Sequence, residues 1–282
     1  MTALHPHRPA VVEAVARALA EDLGPLGDLT ASLVSPRVST NAAFVSRAEG
    51  VLAGTACATE SFLQIDGAVR VEWANDDGDT IDPGQLIGRV SGPLPSVLTG
   101  ERTALNFLQH LSGIATLTRR YVRAARAGRD GALVWDTRKT TPGLRALEKA
   151  AVRAGGGANH RGSLSDFILV KDNHLAGLSI TEAVARALSR WPGRTVEVEC
   201  DTLAQLHEAL AAGATMVLLD NMSPGEVAQA VAVVGHRIPV EVSGGVTLKT
   251  IGAYAAAGAD LISVGGLTNS APVLDIGLDL ID

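Results

Sequence analysis

The sequence is poor in the features that mark several protein classes. Only two cysteines, Cys57 and Cys200, occur in 282 residues, far apart and in no metal-ligand spacing. That excludes a disulfide framework and a zinc module. Both read as small buried apolar residues in a reducing compartment. The first residues, MTALHPHRPA, lack the apolar core of a secretory signal, and no run is long and apolar enough to cross a bilayer. A protein free in the cytoplasm is the expectation. A net charge of -6 excludes a general nucleic-acid or membrane surface. Residues 75–90, NDDGDTIDPGQLIGRV, have the turn pattern of a biotinyl or lipoyl carrier but lack the lysine such a hairpin presents, so they read as scaffold.

What is present is apolar and glycine-rich. Residues of apolar type make up 46% and glycines number 30, which fits a compact α/β chain. Helical spacing covers 10–23 and 96–127, with a further helix over 54–65 and strands at 40–46 and 69–73. Gly128–Gly131 is a natural break. From Ala132 a regular alternation begins. Apolar strand runs fall at 133–136, 167–171, 196–199, 216–220, 240–243 and 261–265, with helical stretches between. In the later units the period is about twenty residues, that of a βα unit with short loops. Six consecutive parallel strands predict an α/β barrel or an open doubly wound sheet, and functional residues at nearly every strand end favour a barrel, short of eight strands and so incomplete.

Residues 135–174 carry the densest chemistry: WDTRKTTPGLRALEKAAVRAGGGANHRGSLSDFILVKDNH. Two apolar runs end in basic residues. A buried parallel strand delivers such residues to its C-terminal mouth, where ligands bind in α/β folds. Arg138, Lys139, His160, Arg161 and Lys171 therefore converge on a pocket suited to an anion. On an acidic chain this is a local reversal of sign. Glu197 and Glu199 share one face of a strand, costly to bury unless they meet cations or a metal. Asp220 ends the next strand, while Ser223-Pro224 supplies the better helix cap. Glu199 and Asp220, on neighbouring strands, can hold a divalent cation through water. Ser243-Gly244-Gly245 and Ser263-Val264-Gly265 end the last two strands, where backbone N–H groups can cradle a phosphate.

These segments are recognisable. TRKTTPGLRALEKAAVRAGGGANHR, DFILVKDNH, VEVECDTL, LLDNM, EVSGGV and SAPVLDIGLDL, with EDLGPLGDLT, AEGVLAG and ERTALNFLQHLSGIAT earlier, resemble quinolinate phosphoribosyltransferase, the carboxylating nicotinate-nucleotide pyrophosphorylase, over almost the whole chain. The resemblance implies an N-terminal open-faced α/β sandwich over 1–110, joined by the tail 271–282, and an incomplete α/β barrel over 111–270. It implies transfer of phosphoribose from 5-phosphoribosyl 1-diphosphate to quinolinate with Mg2+, releasing diphosphate and CO2. It further implies a homodimer with shared sites.

Carried over by motif, Arg102 is supplied by the second subunit and pairs with a quinolinate carboxylate. Arg138 and Arg161 hold quinolinate with His160 nearby, and Lys139 and Lys171 neutralise phosphates. Thr137 is a further substrate contact. Glu199 and Asp220 bind ribose hydroxyls and Mg2+, and Ser243–Gly245 with Ser263–Gly265 hold the 5-phosphate. The substrates carry roughly seven negative charges, which the five basic side chains and one Mg2+ match. Three positions depart from the family's usual pattern: Gly162-Ser163 after His160-Arg161, Ala150 after LEK, and Asn269 near the end.

Alternatives are a paralogue encoded with molybdenum genes, which would alter the quinolinate arginines, a Schiff-base aldolase using Lys171, and a non-catalytic phosphate-binding protein.

Overall fold

The computed structural model describes residues 4–281. In chain order the elements are α1 (Arg8–Leu23), β1 (Ser39–Ser46), β2 (Gly50–Val51), α2 (Thr55–Ile65), β3 (Arg70–Trp73), β4 (Thr80–Ile81), β5 (Leu86–Pro93) and α3 (Leu94–Gly128). There follow β6 (Leu133–Trp135), α4 (Arg145–Ala154), β7 (Ile168–Val170), α5 (Asp172–Leu175), α6 (Ile180–Arg190), β8 (Val196–Cys200), α7 (Leu203–Ala212) and β9 (Met216–Asp220). The last are α8 (Pro224–Val234), β10 (Val240–Ser243), α9 (Ile251–Ala256), β11 (Leu261–Ser263), α10 (Gly266–Asn269) and β12 (Ile276–Ile281).

The chain forms two compact units that no single cut separates. One comprises residues 1–119, 140–156 and 266–282, the other 120–139 and 157–265. In the first, an antiparallel sheet runs in the order β12-β1-β5-β3. The C-terminal β12 pairs along β1 from Asn41↔Ile281 to Ser46↔Ile276. Phe44 stacks on Trp73 and meets Phe62 of α2 edge-on, both phenylalanines fully buried. This aromatic cluster anchors a core completed by Leu52, Ile81, Ile87, Leu105 and Leu108.

The second unit is the incomplete α/β barrel. Its six parallel strands run in the order β6-β11-β10-β9-β8-β7. That is a ring in sequence order, open only between β6 and β7. Runs such as MVLLD are buried along their apolar length, as interior parallel strands must be. The helices α6, α7 and α8 each start with a side-chain cap. Ser179, Thr202 and Ser223 accept the backbone N–H three residues on, and Glu182, Gln205 and Glu226 reach back. Short βα loops hold the strand ends, and so the functional side chains, in fixed register.

The open seam is where residues 158–161 pass. Ala158 donates its N–H to Val134 O at 2.8 Å and forms a parallel bridge with Trp135 on β6. Arg161 reaches Phe167 O, just before β7, at 3.4 Å. Residues 158–161 therefore take the place of the missing strands.

Candidate active site

The C-terminal mouth of the barrel opens into a cavity of about 430 Å³. Its basic wall comes from the seam. Thr137, Arg138 and Lys139 follow β6, His160 and Arg161 come from the seam segment, and Lys171 follows β7. Asp220, Ser243 and Ser263 line it from the ends of β9, β10 and β11. Nine of the residues expected at one site thus do converge. Arg102 is exposed on α3 and is not part of this lining.

Arg138 and Arg161 lie close enough to repel. Burial lowers the Arg161 pKa, the Arg138 charge lowers it further, and Glu197, Asp166 and Glu241 oppose both. Arg161 also lies over the Phe167 ring, 5.7 Å from its centroid. Two like charges held side by side suit a ligand with two carboxylates. Lys171 Nζ pairs with Glu199, while Asp220 accepts from Asn221 Nδ2 at 2.6 Å.

At the end of β10 one glycine is sterically required. Gly244 has φ 91°, and a Cβ there would lie 2.2 Å from Asn221 Oδ1. A Cβ on Gly265 would come within 3.2 Å of Lys139 Cδ, so the lysine stem lies over bare backbone. Val264, by contrast, is turned away from the cavity. Its side chain is buried and its N–H donates to Trp135 O at 2.9 Å, fastening β11 to β6. Ser263 of the second strand-end loop therefore lines the cavity and Val264 does not.

Beneath the basic wall His160 and Glu197, both marked by the sequence, join Glu241, which was not. Glu197 of β8 and Glu241 of β10 are fully buried, with their donor atoms and that of His160 all within 4.8 Å of one another. His160 Nε2 is 3.5 Å from a carboxylate oxygen of each. The group has the composition of a metal site, but its hydrogen bonding argues otherwise. His160 Nδ1 accepts the Arg161 N–H at 2.8 Å. The ring proton is then on Nε2, directed at the acids, and that nitrogen is a donor with no lone pair for an ion. His160 Nδ1 is thus held by the backbone while Nε2 faces the two carboxylates. The available signal was the alternation VEVE and VEVS on strands two apart, since inward residues of a barrel layer come from alternate strands.

Burial raises the Glu197 pKa to about 7 and the Glu241 pKa well above its ordinary value, the latter reinforced by Glu197 itself. Ser263 Oγ donates to Glu241 Oε1 at 2.5 Å. Neither Glu197 oxygen nor Glu241 Oε2 meets another protein donor, which leaves a proton carried by the pair to satisfy them. Between pH 4.5 and about 7 the folded chain holds a proton that the unfolded chain has released. Stability is fullest below that window and falls as pH rises through it. Glu197→Gln should therefore match the parent at pH 4 and exceed it at pH 8 by about 1–3 kcal/mol. Urea melts at both pH values test this; equal stability at pH 8 would refute the pair's charge state.

Comparison with known proteins agrees over the full length. Residues 28–112 match the family described as quinolinate phosphoribosyl transferase, N-terminal domain, and 114–279 match its C-terminal domain. The chain belongs to the quinolinate phosphoribosyltransferase family. A family member from Bacillus subtilis, a probable carboxylating nicotinate-nucleotide pyrophosphorylase, is 44% identical over 263 residues, covering 92% of this chain and 90% of its own. The carboxylating nicotinate-nucleotide pyrophosphorylase of Mycobacterium leprae is 41% identical, covering 96% and 97%. The solved nicotinate-nucleotide pyrophosphorylase from Francisella tularensis superposes with a TM-score of 0.93 at 37% identity and 98% coverage of both chains. The family's fold is thus this fold, with its parallel barrel and separate antiparallel sheet.

Proposed function

We propose that this protein transfers phosphoribose from 5-phosphoribosyl 1-diphosphate to quinolinate with decarboxylation, yielding nicotinate mononucleotide, diphosphate and CO2 for NAD synthesis. The observation that carries the reading is the paired Arg138 and Arg161 beside Lys139 and Lys171 in one cavity, in a chain of this family. The guanidinium pair suits the two adjacent carboxylates of quinolinate, while Lys139, over Gly265, and Lys171 suit phosphate oxygens.

Bond making occurs between the quinolinate ring nitrogen and C1 of the ribose, with diphosphate leaving with its electron pair. The ring becomes cationic, the bond to the carboxylate next to the nitrogen breaks, CO2 departs, and the ring carbon takes a proton from water. The protein's part is positioning and charge stabilisation. No side chain needs to form a covalent intermediate.

Asp220 and Glu199 offer only oxygen donors, at the ends of neighbouring strands, which fits Mg2+. They would hold that ion, and it would neutralise the phosphates of the second substrate. Arg102 is contributed by a second copy of the chain, which makes the working unit a homodimer. The cytoplasm is the compartment that suits this chemistry and its two free, buried thiols.

Mass spectrometry of the purified protein with quinolinate, 5-phosphoribosyl 1-diphosphate and Mg2+ tests the reading, with nicotinate as a competing acceptor. Nicotinate mononucleotide should form from quinolinate and not from nicotinate. Its absence from a folded preparation would sink the assignment.

A further inference from the structure

Two guanidiniums that repel each other must be held together before a ligand arrives, and the structure shows a carboxylate placed to do so. Asp136, the residue after β6, is fully buried. Its Oδ1 accepts the His160 N–H at 2.9 Å and its Oδ2 accepts from Asn159 Nδ2 at 2.6 Å. The Asp136 N–H in turn donates to Ala158 O at 3.3 Å. Three successive seam residues are thus tied to one position. Arg138 lies two residues beyond that position, and Arg161 one residue beyond the tied segment.

We infer that Asp136 is a positioning residue for dicarboxylate recognition: it clamps the seam segment to the end of β6 and so sets the spacing of Arg138 and Arg161. The inference rests on the proposed quinolinate reaction. Asp136 lies in neither the phosphate-binding strand ends nor the Asp220–Glu199 pair, so its removal should act on one substrate selectively. A buried carboxylate is costly unless its oxygens are satisfied. Here the backbone N–H of His160 and the Asn159 amide satisfy both, which makes the geometry of the loop and the charge of Asp136 mutually dependent.

Asp136→Asn keeps an acceptor for the His160 N–H but turns an amide NH2 against that of Asn159. Adding Asn159→Asp exchanges donor and acceptor and restores the contact. Steady-state kinetics should show the KM for quinolinate raised about 10-fold in Asp136→Asn, with the KM for 5-phosphoribosyl 1-diphosphate within about 2-fold. The double variant should recover quinolinate KM to within about 3-fold of the parent. Calorimetric titration of quinolinate alone should give the same order. Unchanged quinolinate KM, equal loss toward both substrates, or a folded double variant that fails to recover would each overturn the inference. Should Asp136→Asn not fold, Asn159→Ala decides: about a 3-fold selective rise supports it, and no rise refutes it. A parent protein that neither binds nor converts quinolinate refutes the functional reading itself. A normal parent with a silent variant refutes only the clamp.

Discussion

Arg161→Ala should leave a folded protein whose kcat/KM for quinolinate falls about 10³-fold, since truncating one partner of a desolvated, bidentate charge pair costs several kcal/mol. The loss follows from its place on the seam. The guanidinium lies over Phe167, is half-buried, and feels the charge of the nearby Arg138. The neighbouring His160 is no substitute, because its Nδ1 accepts a backbone N–H and its Nε2 faces the buried Glu197. Arg161→Lys should recover little, because an ammonium offers a point charge where a planar fork is needed. Circular dichroism and a thermal melt establish folding, and initial rates over a quinolinate series give the loss. A decrease below about 10-fold would remove Arg161 from the dicarboxylate contact.

The second large effect concerns Arg102. It is exposed on α3, and the barrel cavity is lined without it. Arg102→Ala and Lys171→Ala should each be nearly inactive as separate preparations. Unfolded together and refolded as a mixture, they should regain about one quarter of parental activity, because half the dimers are mixed and each mixed dimer has one intact site. A site completed within a single chain predicts no recovery. The experiment therefore decides whether the arginine acts across a subunit boundary, and a mixture as inactive as its components would confine Arg102 to its own chain or to no role.

Much of the barrel was legible because its strands are short apolar runs closed by charge, and α6, α7 and α8 start at Ser or Thr three residues before Glu or Gln. Those signals are local. The four-residue helices α5 and α10 and the two-residue strands β2 and β4 escaped because a period cannot be read from so few residues. α9 starts at Ile251 rather than Leu248, since Thr247 and Thr250 form a side-chain-stabilised turn there. β5 extends over eight residues beyond the turn-rich scaffold segment, its register set by long antiparallel pairing with β1. Arg138, Lys139, Arg161 and Lys171 could be found because exposed chemistry at strand ends has a sequence position. Asp136 and Glu241 could not. A buried carboxylate takes its role from partners brought by distant strands, and in sequence it resembles any surface acid. Val264 failed for the converse reason: its backbone N–H was free in principle and was spent on Trp135.

The gap between β6 and β7 gives the barrel two rims, joined only through the short segment 158–161 in place of full strands. Breathing of the ring should start there, and the amides of the rims should exchange with deuterium sooner than those of β9 and β10. Arg138 stands on one rim and Arg161 in the segment bridging to the other. A dianion gripped by both is a staple across a split cylinder, and occupancy would stiffen the whole ring by closing its weakest hoop.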